Sequence, residues 1–339
     1  MSEVTKKLVV SASPHFRSKS TTTTIMLDVI IAMIPALIAS VVLFGFRSLV
    51  LTVVSVISCV AFEYLSRKVM KRHNTIGDLS AVVTGMLLAF NLPSTMPVWM
   101  VVIGAFTAIV IAKQFFGGIG NNFVNPALIG RIVLMASYPS QIGNFVAPFS
   151  HKGGVDAVTT ATPLAQMTSV YSAENIDAAI DSAELPSLLD MFLGVKGGCL
   201  GEVCIAALLL GFIYLVIRKV ISPAIPLVYV GTVAVAMLIA GKGDFTFVAY
   251  QIMAGGLVLG AVFMATDYTT SPVSFKGKII YAIGCGVLTS LIRIFGSLPE
   301  GVSFSIIIMN ILVPHIEHLT TARPFGEIKA KKKKGAEAK

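Results

Sequence analysis

Charge is scarce in this sequence: Asp, Glu, Lys and Arg make up only 13% of its 339 residues. With 55% hydrophobic residues and a mean hydropathy of +0.85, there is too little polar surface to cover a soluble domain of this size. That composition excludes the ordinary soluble classes and indicates an integral membrane protein. Cysteine is also rare. Cys59, Cys199, Cys204 and Cys285 lie in or beside apolar runs with no C-x-x-C pair, which argues against an iron–sulfur cluster or zinc held by this chain alone. They read instead as small buried apolar side chains. Residues 1–24 are polar and basic with no apolar core ahead of a cleavage site, so no removable signal peptide is expected. The formal net charge of +9 does not point to nucleic acid, because the Lys and Arg residues sit beside the apolar runs and act as topology signals.

What the sequence has in abundance is apolar runs of roughly membrane-crossing length separated by short breaks. Spans are expected at 25–46, 49–65, 79–96, 98–115 and 125–138, then at 198–217, 223–240, 245–266, 279–295 and 304–319, with a short surface or re-entrant helix at 185–195. Asn91-Leu92-Pro93 interrupts the third. The run from Phe116 to Ala127, dense in Gly and Asn ahead of Pro126, suggests a non-helical dip followed by a helix start. Such backbone is tolerated at membrane depth only where it is buried in protein or lines a cavity. The basic cluster from Arg67 to Arg72, then Lys113, Arg218-Lys219, Lys276, Lys278 and the lysine-rich tail all fall on one side of this ten-span plan. The positive-inside rule makes that side cytoplasmic, with both termini. The expected organisation is a cytoplasmic segment 1–24, a first transmembrane half 25–138, an extracytoplasmic loop 139–184, a second transmembrane half 185–320 and a basic cytoplasmic tail 321–339. The expected fold class is an all-α polytopic membrane protein of about ten helices. Five plus five spans would be opposite in orientation, as in inverted-repeat folds with broken helices.

The long polar segment contains Asp156-Ala157-Val158-Thr159-Thr160-Ala161-Thr162-Pro163. By composition this is a Thr-rich loop. A threonine hydroxyl followed by Pro in a loop on the outer face is nevertheless accessible to a modifying enzyme, as one inside a span is not. The run Asp156-x-x-Thr159-Thr160-Ala161-Thr162 resembles the acceptor pattern read by the periplasmic flavin transferase. Three further stretches strengthen the likeness: Gly117-Gly118-x-Gly120-x-Asn122-x-x-Asn125-Pro126-Ala127, Gly198-x-x-Gly201-Glu202, and Met264-Ala265-Thr266-Asp267-x-x-Thr270-Ser271-Pro272-Val273. Together with the spans, they resemble the D subunit of Rnf ion-translocating oxidoreductases and, more distantly, the B subunit of sodium-translocating NADH:quinone reductases. Thr159-Thr160-Ala161-Thr162 in place of Ser-Gly-Ala-Thr, and the shorter N-terminal segment, favour the first. The resemblance implies FMN joined to Thr162 by a phosphoester after maturation by a flavin transferase, and allows a second, noncovalent riboflavin near the cytoplasmic side. It implies partner subunits in a bacterial or archaeal inner membrane, and electron relay between ferredoxin and NAD coupled to Na+ or H+ movement.

Ionisable side chains within spans are costly and are functional candidates by default. They are Asp28, Glu63, Lys113, Arg131, Glu202, Asp267 and Arg293. Snorkelling to the interface explains most of them, since they sit near span ends. Arg131, six residues beyond Asn125, is deep enough to need a partner. Glu202, among small residues, and Asp267, opening a hydroxyl-rich turn, are candidates for handling flavin or cation. His315 and His318 share a helix face, but with no third ligand beside them they do not make a metal site. Two other classes compete with the redox subunit: a stand-alone secondary transporter or channel, which broken spans also suit, and an assembly scaffold with an unmodified loop.

Overall fold

A computed structural model describes residues 20–150, 160–171, 185–296 and 300–321. The described chain is helical. Its first half contains α1 (Thr22–Phe44), α2 (Phe46–Val69), α3 (Ser80–Phe90), α4 (Val98–Phe106) and α5 (Pro126–Ser137). Three short helices follow, α6 (Pro139–Ile142), α7 (Pro163–Tyr171) and α8 (Leu188–Leu193). The second half contains α9 (Ile205–Ile217), α10 (Ala224–Ala240), α11 (Phe245–Met253), α12 (Leu257–Leu259), α13 (Phe275–Phe295) and α14 (Val302–Thr320). Both α4 and α12 continue as π-helix, over Thr107–Gln114 and Gly260–Met264 respectively.

By length and composition α1, α2, α13 and α14 can each cross a membrane, and α11 with its continuation, bent by 64°, is either a broken span or a re-entrant loop. The other apolar helices are shorter, between 11 and 17 residues for α3, α5, α9 and α10, with α4 and its π-helical continuation together in that range. The side chains follow the solvent expected for lipid. Leu27, Ile31, Ile34, Ile38 and Val42 of α1 are exposed at helical spacing, while its inner face buries Asp28, Ala32, Ala36 and Ser40. A capping box between Thr21 and Thr24 starts α1, and Gly45, at φ 81°, both ends it and admits the turn into α2.

Small residues let the helices approach closely. A Cβ on Gly85 of α3 would lie 2.7 Å from the Val56 Cα of α2, and the Ser55 hydroxyl of α2 donates to the Gly85 carbonyl at 2.7 Å. Gly85→Val is therefore expected to push α3 off α2 and lower stability by about 2 kcal/mol or more, read as a drop in the melting temperature of the detergent-solubilised protein.

Helices that stop short inside the bundle leave carbonyl and amide groups needing partners, since lipid provides none. At the end of α3, Asn91 donates its side-chain amide to the Leu87 carbonyl at 2.6 Å. The broken stretch ahead of α9 pairs with this end through Gly201 N to Phe90 O at 2.9 Å and Leu200 N to Leu92 O at 3.0 Å. Two interruptions from opposite halves thus satisfy one another. The expected third and sixth spans are corrected here to helices of 11 and 13 residues, each joined to a non-helical segment.

Candidate functional site

Thr162 is the residue immediately before α7, with Pro163 at the first helical position. Its carbonyl accepts from Ala165 N at 3.0 Å and Gln166 N at 3.1 Å, and its hydroxyl oxygen faces Ala165 N at 3.3 Å. The side chain is half-exposed. It is an N-cap residue, so its oxygen stands at the positive end of the α7 dipole, where anions are stabilised. The preceding residues are fastened down: Thr160 N donates to Phe145 O at 3.0 Å, and Thr160 and Ala161 lie against Gly197 with no room for a side chain there. Asp156 and Thr159, also expected at the acceptor, lie outside the described residues.

Beneath this loop is a buried cluster of charge. Arg131 of α5 pairs with Glu300, donates to the Asn91 side-chain oxygen at 2.6 Å and reaches the Cys199 sulfur at 3.9 Å. Glu202 accepts from Cys199 N at 3.0 Å through Oε1, while its buried Oε2 has no hydrogen-bond partner. Lys196 and Arg293 both serve the broken end of α11: Lys196 donates to the Met253 carbonyl, and Arg293 to those of Gln251 and Ala254. Cations there satisfy the carbonyls left open at a helix C-terminus. Burial pushes the Lys196 ammonium down to about 8, with Glu202 pulling the other way. Gly255 and Gly256 close the space, the first facing Leu164 of α7, Arg293 and Glu300, the second facing Glu202 and Arg131. Cys199, Glu202 and Glu300 bring three ligand atoms within 4.8 Å of one another, but the Arg131 guanidinium already supplies the positive charge that a metal ion would bring.

Asp267 is elsewhere. It lines a cavity at the opposite end of the bundle, about 800 Å³ counting its open mouth, together with Ser80, Lys113, Asn122, Asn125 and Tyr268. Asp267 accepts from the Thr269 hydroxyl at 3.0 Å and the Thr270 hydroxyl at 3.3 Å, and its burial raises the carboxyl above the usual range. On the cavity wall Lys113 donates to Glu63 at 2.7 Å and to Ser80 Oγ at 2.6 Å, with the ion pair fully buried.

The six expected site residues are therefore divided. Thr162, Arg131 and Glu202 belong to one end, Asp267 to the other, and Asp156 and Thr159 are not described. Snorkelling is corrected for Glu63, Lys113 and Arg293, which are buried at 0%, 1% and 5% exposure and held by partners inside the bundle. Lys196, Glu300 and Asn91 complete the first cluster, and of these only Asn91 carried a sequence signal, the Asn-Leu-Pro break.

The model of the NQR2, RnfD, RnfE family matches residues 9–326. Among curated proteins, the chain is 46% identical over 328 residues to the D subunit of the Na(+)-translocating ferredoxin:NAD(+) oxidoreductase complex of Acetobacterium woodii, covering 96% of this chain and 97% of that protein. It is 42% identical over 320 residues to the D subunit of the proton-translocating ferredoxin:NAD(+) oxidoreductase complex of Clostridium ljungdahlii, covering 94% and 96%. It is 35% identical to the D subunit of the ion-translocating oxidoreductase complex of Halorhodospira halophila, covering 93% and 94%.

Proposed function

Because this chain belongs to the NQR2, RnfD, RnfE family, we propose that it is the D-type membrane subunit of an ion-translocating ferredoxin:NAD oxidoreductase complex and carries FMN as a phosphoester on Thr162. The observation that carries this reading is the placement of Thr162: last residue of the acceptor-like run, half-exposed, and N-cap of α7 with Pro163 next. A phosphoryl group on that oxygen would meet the first amides of α7, a setting suited to its charge. A bound flavin supplies one- and two-electron redox chemistry. The chain's own part is position and field. Thr160 and Ala161, docked on Gly197, hold the anchor against the bundle, and the buried Arg131, Lys196 and Arg293 with Glu202 and Glu300 set the potential beneath it.

The cavity at the other end suits a second, noncovalent riboflavin: Asn122, Asn125 and Thr269 offer hydrogen bonds on a wall that also includes apolar Val29, Leu87, Val262 and Phe263. We read that end as cytoplasmic, because Arg67, Arg72, Lys113 and Arg218 gather toward it, and the Thr162 end as extracytoplasmic. We take the membrane segments to be ten, in two inverted sets of five. Electrons pass to neighbouring subunits with coupled Na+ or H+ translocation, and this subunit is not an enzyme by itself.

A denatured gel band of the purified chain is expected to fluoresce under ultraviolet light. A transporter or an unmodified scaffold gives a dark band. Thr160→Ala leaves the fluorescence largely intact, since the Thr160 hydroxyl is buried without a hydrogen-bond partner and its loss breaks no bond.

A further inference from the structure

Two basic side chains stand at the cavity beside Asp267, and both are already claimed. Among the described residues lining it, Lys113 is the only basic one and Asp267 the only acidic one. Lys113, 1% exposed, donates to the Glu63 carboxylate at 2.7 Å and to the Ser80 hydroxyl at 2.6 Å. Arg218 stands three residues beyond the lining residue Leu215, and its Nε and Nη2 donate to the two oxygens of Asp28 at 3.3 and 3.2 Å. Asp28 in turn lies between Met26 and Val29, which also line the cavity.

What the wall has to spare is acceptors. The Asn122 side-chain oxygen is buried without a hydrogen-bond partner. The Asp267 carboxylate receives the Thr269 and Thr270 hydroxyls and Thr269 N, and keeps lone pairs in hand. A well-matched ligand therefore brings N–H and O–H donors. A phosphate brings acceptor oxygens and about two negative charges instead, and it binds well only where a free cation or a row of donors meets it.

The ion pairs also fasten helices: Glu63–Lys113 joins α2 to the π-helical continuation of α4, and Asp28–Arg218 joins α1 to the end of α9. Fastening does not require that both pairs flank one cavity, nor that the wall there add an unpaired carboxylate. We propose that Asp267, Glu63 and Asp28 are specificity-determining residues that restrict this cavity to an uncharged, unphosphorylated flavin rich in N–H and O–H donors. Asp267 repels a phosphate and accepts from the ligand, while Glu63 and Asp28 keep Lys113 and Arg218 from offering the phosphate an ion pair. The inference rests on the reading of this cavity as a flavin site; it does not depend on Thr162 carrying one.

The test is a competition. The full chain in detergent, stripped of noncovalent flavin, is equilibrated with equal concentrations of riboflavin and FMN and freed of unbound ligand. Acid then precipitates the protein with any covalent flavin, and chromatography of the supernatant measures what the cavity held. The wild type is expected to retain riboflavin over FMN by about tenfold or more, the scale of one close charge pair in a partly buried site. Asp28→Asn/Asp267→Asn, which removes the repelling carboxylate and frees the Arg218 guanidinium, is expected to raise the FMN to riboflavin ratio by about tenfold. Asp28→Asn alone, whose partner Arg218 is mostly exposed, is expected to raise it several-fold and serves if the double variant does not fold. Ser290→Ala, whose hydroxyl bonds the Gly286 carbonyl on its own helix, leaves it unchanged. Equal retention of the two flavins by the wild type, or one ratio shared by the wild type and the carboxylate variants, would overturn this inference alone. Retention of neither would overturn the flavin reading of the cavity and this inference with it.

Discussion

Thr162→Ala is expected to yield a chain of normal abundance with no covalent flavin: a dark band under ultraviolet light and a mass equal to that of the polypeptide alone. The loss is complete because a phosphoester needs an oxygen, and the nearest described alternative is unsuitable. Thr160 packs its hydroxyl, buried and without a hydrogen-bond partner, against Gly197. Ala at the N-cap costs about 1 kcal/mol of α7 stability. That is too little to unfold a bundle whose long helices are held elsewhere, so the variant separates attachment from folding. Thr162→Ser, which keeps both the hydroxyl and the cap, is expected to retain flavin.

Arg131→Met is expected to be the most destabilising single change, by about 3–5 kcal/mol, because it leaves Glu300 without its cation and Glu202 in a buried site that has lost positive charge. Arg131 also holds Asn91, the residue that closes the end of α3, so the damage reaches the paired breaks at Phe90–Leu92 and Leu200–Gly201. Removing both charges in Arg131→Met/Glu300→Gln is expected to recover at least half of the loss, since the Glu300 carboxylate is removed along with its cation and Glu202 keeps the field of Lys196 and Arg293. Melting temperatures of the wild type, both single variants and the double variant in one detergent give the coupling directly. Additive losses would mean that the pair is not acting as one unit.

The long helices were legible because apolar runs near membrane length admit few other structures, and α1, α2, α13 and α14 begin and end within a few residues of the expected spans. The broken helices were legible only where a breaker residue marks them. Asn91-Leu92-Pro93 announced the end of α3, whereas Ala254-Gly255-Gly256 reads as apolar and hid the 64° bend that presents carbonyls to Lys196 and Arg293. The charges at span ends were misread for a different reason. Glu63 and Lys113 are fifty residues apart, and nothing in their separate neighbourhoods shows that the fold joins them. Thr162 stood out through its local motif, while Glu300, which completes the cluster with Arg131, sits in a short connection whose partner is set only by packing.

The most direct measurement is peptide mass mapping of the chain isolated from its native membrane. The account predicts that the peptide containing Thr162 carries the mass of one FMN residue, with fragmentation placing it on that side chain. Recovery of this peptide unmodified, or with the flavin on another residue, would contradict it.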